Sequence, residues 1–114
     1  MDMEIILFGS GAIGQEALAF LGNSNVVCFC DNNPELAGKE KHGKNVISFQ
    51  ELKREHKNAV VVISANYKNA YEIVKQCEEN GIWDYVFYEY LKNMFSEEKD
   101  ALVFLSLIHI SEPT

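Results

Sequence analysis

Basic residues are scarce in this chain. Its 114 residues include 10 Lys and Arg against 17 Asp and Glu, so the net charge is −7. Such a surface repels phosphate backbones and anionic lipid headgroups unless basic residues cluster locally, and the sequence contains no such cluster. The composition therefore argues against nucleic acid and membrane surfaces as partners.

Long uncharged runs and Cys-x-x-Cys pairs are also missing. No uncharged run reaches the roughly 18 residues of a membrane span, and no basic leader precedes the first apolar run. We therefore expect a soluble, cytoplasmic protein. Cys28, Cys30 and Cys77 form no Cys-x-x-Cys pair. They are predicted to be buried free thiols rather than a metal or redox site.

Short apolar runs alternate with helical patterns along the chain. Buried strands are predicted at 4–8, 26–30 and 60–63, and a fourth main strand at 85–90, while 46–47 could add a short one. Helices are predicted at 13–21, 48–56 and 66–80, and from Ser96 onwards, and 39–44 is predicted to be a surface loop.

This alternation predicts an α/β fold, a small Rossmann-like three-layer sandwich with a parallel sheet. The predicted strand order is 3-2-1-4, in which 60–63 is the third strand and 85–90 the fourth. A ligand crevice is then expected above the first strand.

The most informative motif is Gly9-Ser10-Gly11-Ala12-Ile13-Gly14, a complete Gly-x-Gly-x-x-Gly between the first strand and the first helix. In this pattern Gly9 permits a tight turn, Gly11 lets a pyrophosphate approach the backbone, and Gly14 lets the helix pack on the sheet. The N–H groups at the helix start then form an anion site that needs no Lys or Arg. The six residues are predicted to bind a cofactor.

Asp31 follows Gly9 by 22 residues, at the end of the second strand, where an acid can accept hydrogen bonds from a ribose diol. Its charge should also reject a 2′-phosphate, which would favour NAD or a UDP-sugar over NADP. Asn32 beside it, and Ser64 and Asn66 after the third strand, are predicted to complete the site. The bound molecule is expected to be a nucleotide sugar of the UDP type or NAD.

The same residues allow a simpler interpretation. The glycines could serve only helix–strand packing, Asp31 could cap the following turn, and Asn66 could be a plain N-cap. His42 and His56 lie in polar surroundings without metal-ligand spacing and are predicted to be solvated. The sequence offers no catalytic set and no metal site, so enzymatic activity is left open.

Three segments carry a family resemblance, namely 5–14, Phe29-Cys30-Asp31-Asn32-Asn33-Pro34-Glu35-Leu36-Ala37-Gly38-Lys39, and 45–52. They resemble a small Rossmann-like module of bacterial polysaccharide-biosynthesis proteins. The module is similar to the N-terminal nucleotide-sugar-binding domain of PglD-type acyltransferases and to the accessory domain of FkbM-type methyltransferases and LicD-type transferases. The resemblance implies that Gly9, Gly11, Gly14 and Asp31 hold a nucleotide sugar.

After the last predicted strand, the chain continues Leu91-Lys92-Asn93-Met94-Phe95-Ser96 towards a helix. The acyltransferases instead continue into a histidine-bearing segment that begins a left-handed β-helix. This departure favours the methyltransferase- or transferase-linked versions, and a transferase as the parent protein.

The last ten residues, 105–114, resemble a frame translation of the transposase adapter used in sequencing libraries. The resemblance implies a gene cut near Phe104. We therefore expect a nucleotide-binding domain at 1–92, a linker or the start of a truncated next domain at 93–104, and an artefact at 105–114.

Three functions follow from these features. The first is a module that binds a nucleotide sugar or dinucleotide and presents it to a missing C-terminal catalytic domain. The second is a fragment of an NAD-dependent sugar-nucleotide dehydrogenase or epimerase, whose catalytic Tyr and Lys would lie beyond the cut. The third is a structural docking domain that binds no ligand.

Overall fold

The structure is a computed structural model that describes residues 3–109. In this part of the chain the strands are β1 (Ile5–Phe8), β2 (Cys28–Cys30), β3 (Glu40–Lys41), β4 (Lys44–Ile47), β5 (Val60–Ile63) and β6 (Tyr85–Phe87). The helices are α1 (Ala12–Leu21), α2 (Phe49–Glu55), α3 (Tyr67–Glu79), α4 (Tyr88–Met94) and α5 (Glu98–His109).

The strands form one mixed sheet in the order β3-β4-β2-β1-β5-β6. Five of the strands run parallel, and β3 pairs antiparallel with β4 at one edge. The chain moves outward from β1 to β2 and β4, and α2 then carries it back to β5 on the other side of β1. The carboxyl end of β1 is therefore the topological switch point, where ligands bind in open α/β sheets.

The predicted α/β class is correct, but the predicted strand order and the all-parallel sheet are wrong. Val46 and Ile47 pair with Phe29 and Cys30, so β4 occupies the edge of β2 at which 60–63 is predicted. The segment 60–63 pairs instead with the free edge of β1, and 85–87 lies beside it rather than beside β1.

Residues 39–44, predicted as a loop, form most of a tight hairpin of β3 and β4. His42 and Gly43 form its two-residue turn and have φ values of 56° and 86°. Positive φ at both central residues is characteristic of the turn type that matches the twist of hairpin strands.

The prediction of a strand through Tyr90 is also wrong, because the backbone becomes helical at Tyr88. Tyr88 and Leu91 are both buried, and their spacing of three residues places them on one face of α4. The Tyr88 hydroxyl donates to Oε2 of Glu16 on α1 at 2.8 Å. Burial against α1 thus outweighs the β-propensity of the tyrosine-rich segment.

The sheet has a separate apolar core on each face, because side chains alternate along each strand. Ile5 and Leu7 face the core formed with α1, α4 and α5, whereas Ile6 and Phe8 face the core formed with α2 and α3. The domain therefore has the predicted three layers. Their packing fixes the positions of the loops at the carboxyl ends of β1, β2 and β5.

Local capping follows the sequence signals. Ser48 Oγ accepts from the Glu51 N–H at the start of α2, and Asn66 Oδ1 accepts from the Asn69 N–H at the start of α3. Gly22, with φ of 97°, ends α1. These short-range features were predictable because each depends on residues within one turn.

Helix α5 packs its buried Ala101 and Leu105 into the same core as α1. Residues 105–109 of the segment expected to be an adapter artefact thus belong to this helix, and residues 110–114 lie outside the described residues. Within 3–109, none of the helices combines the length and apolar character needed to cross a membrane.

The three thiols lie in the core between the sheet and α3. Burial raises the pKa of Cys28 and of Cys77 to about 11 and raises that of Cys30 as well. Because the thiolate is the reactive form, we expect native thiols to react with a disulfide reagent at pH 8 at least about a hundredfold more slowly than in urea. Rapid labelling of any of the three in the folded protein would contradict this expectation.

Candidate functional site

A cleft of about 510 Å³ opens above the carboxyl ends of β1, β2 and β5. It is lined by nine of the ten predicted site residues, and Gly14 is the exception. The nine are Gly9, Ser10, Gly11, Ala12, Ile13, Asp31, Asn32, Ser64 and Asn66. The structure therefore brings together residues from three separate segments, whereas their role in binding stays a prediction.

Gly9 and Gly14 allow the glycine-rich loop and the start of α1 to pack closely against neighbouring backbone. Gly9 has φ of +117°, and a Cβ on it would lie 2.4 Å from the Ser64 carbonyl oxygen. A Cβ on Gly14 would lie 2.2 Å from the Gly9 carbonyl oxygen and 3.1 Å from the Phe29 ring. Neither position has space for a side chain, so the start of α1 lies directly against the ends of β1 and β5.

Gly11 differs from both, because a Cβ there would meet nothing within 4 Å. It is the N-cap of α1, and no side chain caps this helix. The first N–H groups of an α-helix have no partner within the helix, and the helix dipole adds positive potential there. The start of α1 can therefore accept an anionic group where Gly11 leaves the backbone accessible.

Asp31 contacts the loop directly. Its Oδ2 accepts from the Ser10 N–H at 3.0 Å and from the Ser10 hydroxyl at 2.6 Å, and its Oδ1 accepts from the Asn33 N–H at 3.0 Å. Ser10 is 1% exposed, so the two bonds from Ser10 satisfy buried donors. Three of the roughly four acceptor positions of the carboxylate are filled, which leaves one for the predicted ribose contact.

Ser64 is buried below the loop, where its hydroxyl lies 3.0 Å from the Gly9 carbonyl oxygen and 3.3 Å from that of Phe8. The side-chain amides of Asn32 and Gln76 of α3 exchange two hydrogen bonds, of 2.8 and 3.0 Å. Asn66 caps α3, as the simpler interpretation proposed. The polar atoms of Ser64 and Asn32 are thus engaged mainly in holding the walls of the cleft.

His42 is the residue that the sequence interpretation missed, since it was predicted to be solvated. Its Nε2 lies 3.0 Å from the Ser10 carbonyl oxygen, and its ring packs edge-on against Phe29 with centroids 5.6 Å apart. A carbonyl oxygen only accepts, so Nε2 must carry the proton. The turn formed with Gly43 has a local sequence signal, but the contact between the hairpin and the glycine loop has none.

Replacing His42 should loosen the glycine loop. We expect His42→Asn, which tolerates the positive φ but is too short to reach Ser10, to lose about 1 kcal/mol of stability and to weaken ligand binding severalfold. His42→Gln, whose longer amide can donate to the same carbonyl, should restore part of both. Urea unfolding and calorimetric titration of the two variants would measure this, and equal values for both variants would contradict a role for the hydrogen bond.

The cleft has no cationic side chain among its described lining residues, while Asp31 and Glu72 contribute carboxylates. Any phosphate must therefore be held by backbone N–H groups and the helix dipole. This arrangement suits a diphosphate diester better than a highly charged free triphosphate, because each extra negative charge would be repelled by the two acids.

These features define a Rossmann-like α/β domain with a glycine-rich loop at the switch point of its sheet. The chain belongs to the C2185-like, N-terminal family, whose signature matches residues 1–86. No curated protein matches the chain significantly.

Two solved structures share the fold. One is the UDP-D-quinovosamine 4-dehydrogenase from Vibrio fischeri, with a TM-score of 0.58 and 15% identity over 76% of this chain and 78% of that one. The other is RSP in complex with β-NAD⁺ and operator DNA, with a TM-score of 0.55 and 15% identity over 92% of this chain and 60% of that one. At this identity the similarity establishes the fold alone.

Proposed function

We propose that the chain is a nucleotide-binding module that holds a nucleotide sugar or NAD by its diphosphate at the glycine-rich loop. The observation that carries this proposal is the uncapped start of α1, which opens at Gly11 into a cleft above the switch point of the sheet. The backbone of the glycine-rich loop is held in place by contacts at Gly9, Gly14, Asp31 and Ser64, and these residues leave the cleft open.

The two similar structures are compatible with this ligand class. One is an enzyme named for a UDP-sugar, and the other was solved with β-NAD⁺. The resemblance to modules of PglD-type acyltransferases, FkbM-type methyltransferases and LicD-type transferases supports a place in polysaccharide or glycan biosynthesis. We propose that the module presents its ligand to the catalytic domain of such a protein, a transferase.

The cleft itself favours binding over catalysis. Its described lining contains no cysteine, histidine or lysine, and of its two carboxylates that of Asp31 is engaged with Ser10 and Asn33. We therefore expect the catalytic groups to come from another domain, and the ligand to leave this module chemically unchanged.

The dehydrogenase alternative expects its catalytic tyrosine and lysine in a later part of the protein, and a pair within this chain could replace them only if it lay beside the ligand. Tyr88 and Lys92 are one helical turn apart on α4, but neither lines the cleft. Burial, together with the hydrogen bond to Glu16, raises the pKa of Tyr88. A tyrosine that acts as a base needs a lowered pKa. This pair therefore supports the fold rather than hydride chemistry.

A thermal-shift experiment tests the proposal, with UDP-N-acetylglucosamine, NAD and S-adenosylmethionine as ligands. A ligand at about 100 times its dissociation constant adds about 2.7 kcal/mol, which raises the Tm of a domain of this size by roughly 10 °C. We expect a shift with UDP-N-acetylglucosamine or NAD. A shift with S-adenosylmethionine alone, or with none of the three, would refute the proposal, and the absence of any shift would favour a structural docking domain.

A further inference from the structure

A second cavity, of about 660 Å³, adjoins the diphosphate cleft. The two cavities share Ile13, Ala65 and Asn66 in their walls. The second extends over the carboxyl ends of β5 and β6 towards α4, on the side of the glycine loop away from Asp31. Together they form one continuous groove along the edge of the sheet.

The second cavity is lined by apolar rings and a thioether that remain exposed. Tyr67 is 95% exposed, Met94 57%, Tyr90 43% and Phe87 39%. Such a concentration of accessible apolar surface around a concave site is typical of a ligand or partner contact.

Two of these rings are already held in position. Tyr90 packs against Phe104 with ring centroids 5.7 Å apart, and Phe87 packs edge-on against Tyr85 at 6.5 Å. Rigid aromatic surfaces lose little conformational entropy when a ligand binds. Glu89 and Asn93 add a carboxylate and an amide to the same wall.

We propose that this second cavity binds the sugar ring of a nucleoside diphosphate sugar whose diphosphate lies at the glycine-rich loop. The nucleoside then occupies the Asp31 side of the groove, and the sugar extends towards α4. The apolar face of a pyranose packs on aromatic rings, and its hydroxyl groups can bond to Glu89 and Asn93. This inference rests on the proposed function and narrows its ligand class to nucleotide sugars.

Calorimetric titration with UDP, UDP-N-acetylglucosamine and NAD tests this assignment. UDP and the sugar nucleotide differ in charge as well as in the ring, so the informative quantity is how each variant changes the two affinities. We expect Tyr90→Ala to weaken UDP-N-acetylglucosamine about tenfold and UDP less than twofold. Met94→Ala, at a more exposed position, should show the same selectivity if Tyr90→Ala unfolds. Tyr71→Ala provides a control, because Tyr71 is exposed on α3 and lines neither cavity.

The possible outcomes separate the two proposals. Selective weakening of the sugar nucleotide by Tyr90→Ala, or by Met94→Ala if Tyr90→Ala unfolds, supports the sugar subsite. Equal weakening of UDP and the sugar nucleotide, or no weakening of either, would refute it and leave the diphosphate site intact. Selective weakening of NAD would also overturn it, because a nicotinamide would then occupy the cavity. No binding of any of the three ligands to the wild type would instead refute the proposed function.

Discussion

Gly14→Ala is expected to destabilise the domain by about 3 kcal/mol or more, which lowers its Tm by roughly 12 °C or more. The new Cβ would lie 2.2 Å from the Gly9 carbonyl oxygen and 3.1 Å from the Phe29 ring. Backbone cannot move aside as a flexible side chain can, so α1 would have to shift away from the sheet. Thermal and urea unfolding of the variant would measure the loss.

Gly11→Ala is the matched control, since it makes the same chemical change three residues earlier in the same glycine motif. Its Cβ would meet nothing within 4 Å, and we expect it to lose at most about 1 kcal/mol. If Gly14→Ala and Gly11→Ala had the same Tm, the close approach of α1 to the glycine loop would be absent from the folded protein.

Asp31→Ala is expected to cost about 2 to 4 kcal/mol of stability, because it removes the acceptor of three hydrogen bonds. The Ser10 N–H and hydroxyl would then be buried without their partner. Asp31→Asn should cost less, since its amide oxygen can still accept from Ser10, but its NH₂ group would face the Asn33 N–H. Glu35→Gln removes one charge at an exposed neighbouring position and should change stability little.

Ligand affinities distinguish a ribose-binding role of Asp31 from a role in holding the loop alone. If its remaining acceptor position binds a ribose hydroxyl, Asp31→Asn should weaken ribonucleotides by about one to two decades and weaken the discrimination against NADP. If Asp31 only holds the loop, the discrimination between NAD and NADP should stay unchanged while the Tm falls. Equal binding of NAD and NADP by the wild type would contradict the predicted rejection of a 2′-phosphate.

Local features of this chain were predictable from sequence, whereas its long-range pairings were not. The glycine-rich loop and the caps at Ser48 and Asn66 each depend on residues close in sequence. The strand order depends on whether Val46 or Val60 occupies the edge of β2, and the segment that pairs there has the shorter apolar run of the two. Hydrophobic pattern alone does not distinguish such partners.

In the candidate site, too, local features were predictable and long-range contacts were not. Nine of the ten predicted residues line one cleft, because the carboxyl ends of parallel strands meet at one edge of the sheet, while their role in binding stays a prediction. It did not predict that Asp31 bonds to Ser10, nor that His42 reaches the same residue from the hairpin. Both contacts join segments more than 20 residues apart.

The most direct test of the diphosphate site is calorimetric titration of UDP-N-acetylglucosamine and of NAD into the wild type and Gly11→Val, with the Tm of each protein measured in parallel. A Cβ at this position would meet nothing within 4 Å, but a valine side chain would occupy the volume where a diphosphate approaches the backbone. We predict that the wild type binds at least one of the two ligands, and that Gly11→Val binds it at least about a hundredfold more weakly while melting within a few degrees of the wild type. Unchanged affinity in a folded Gly11→Val variant would show that the glycine-rich loop is not the phosphate site.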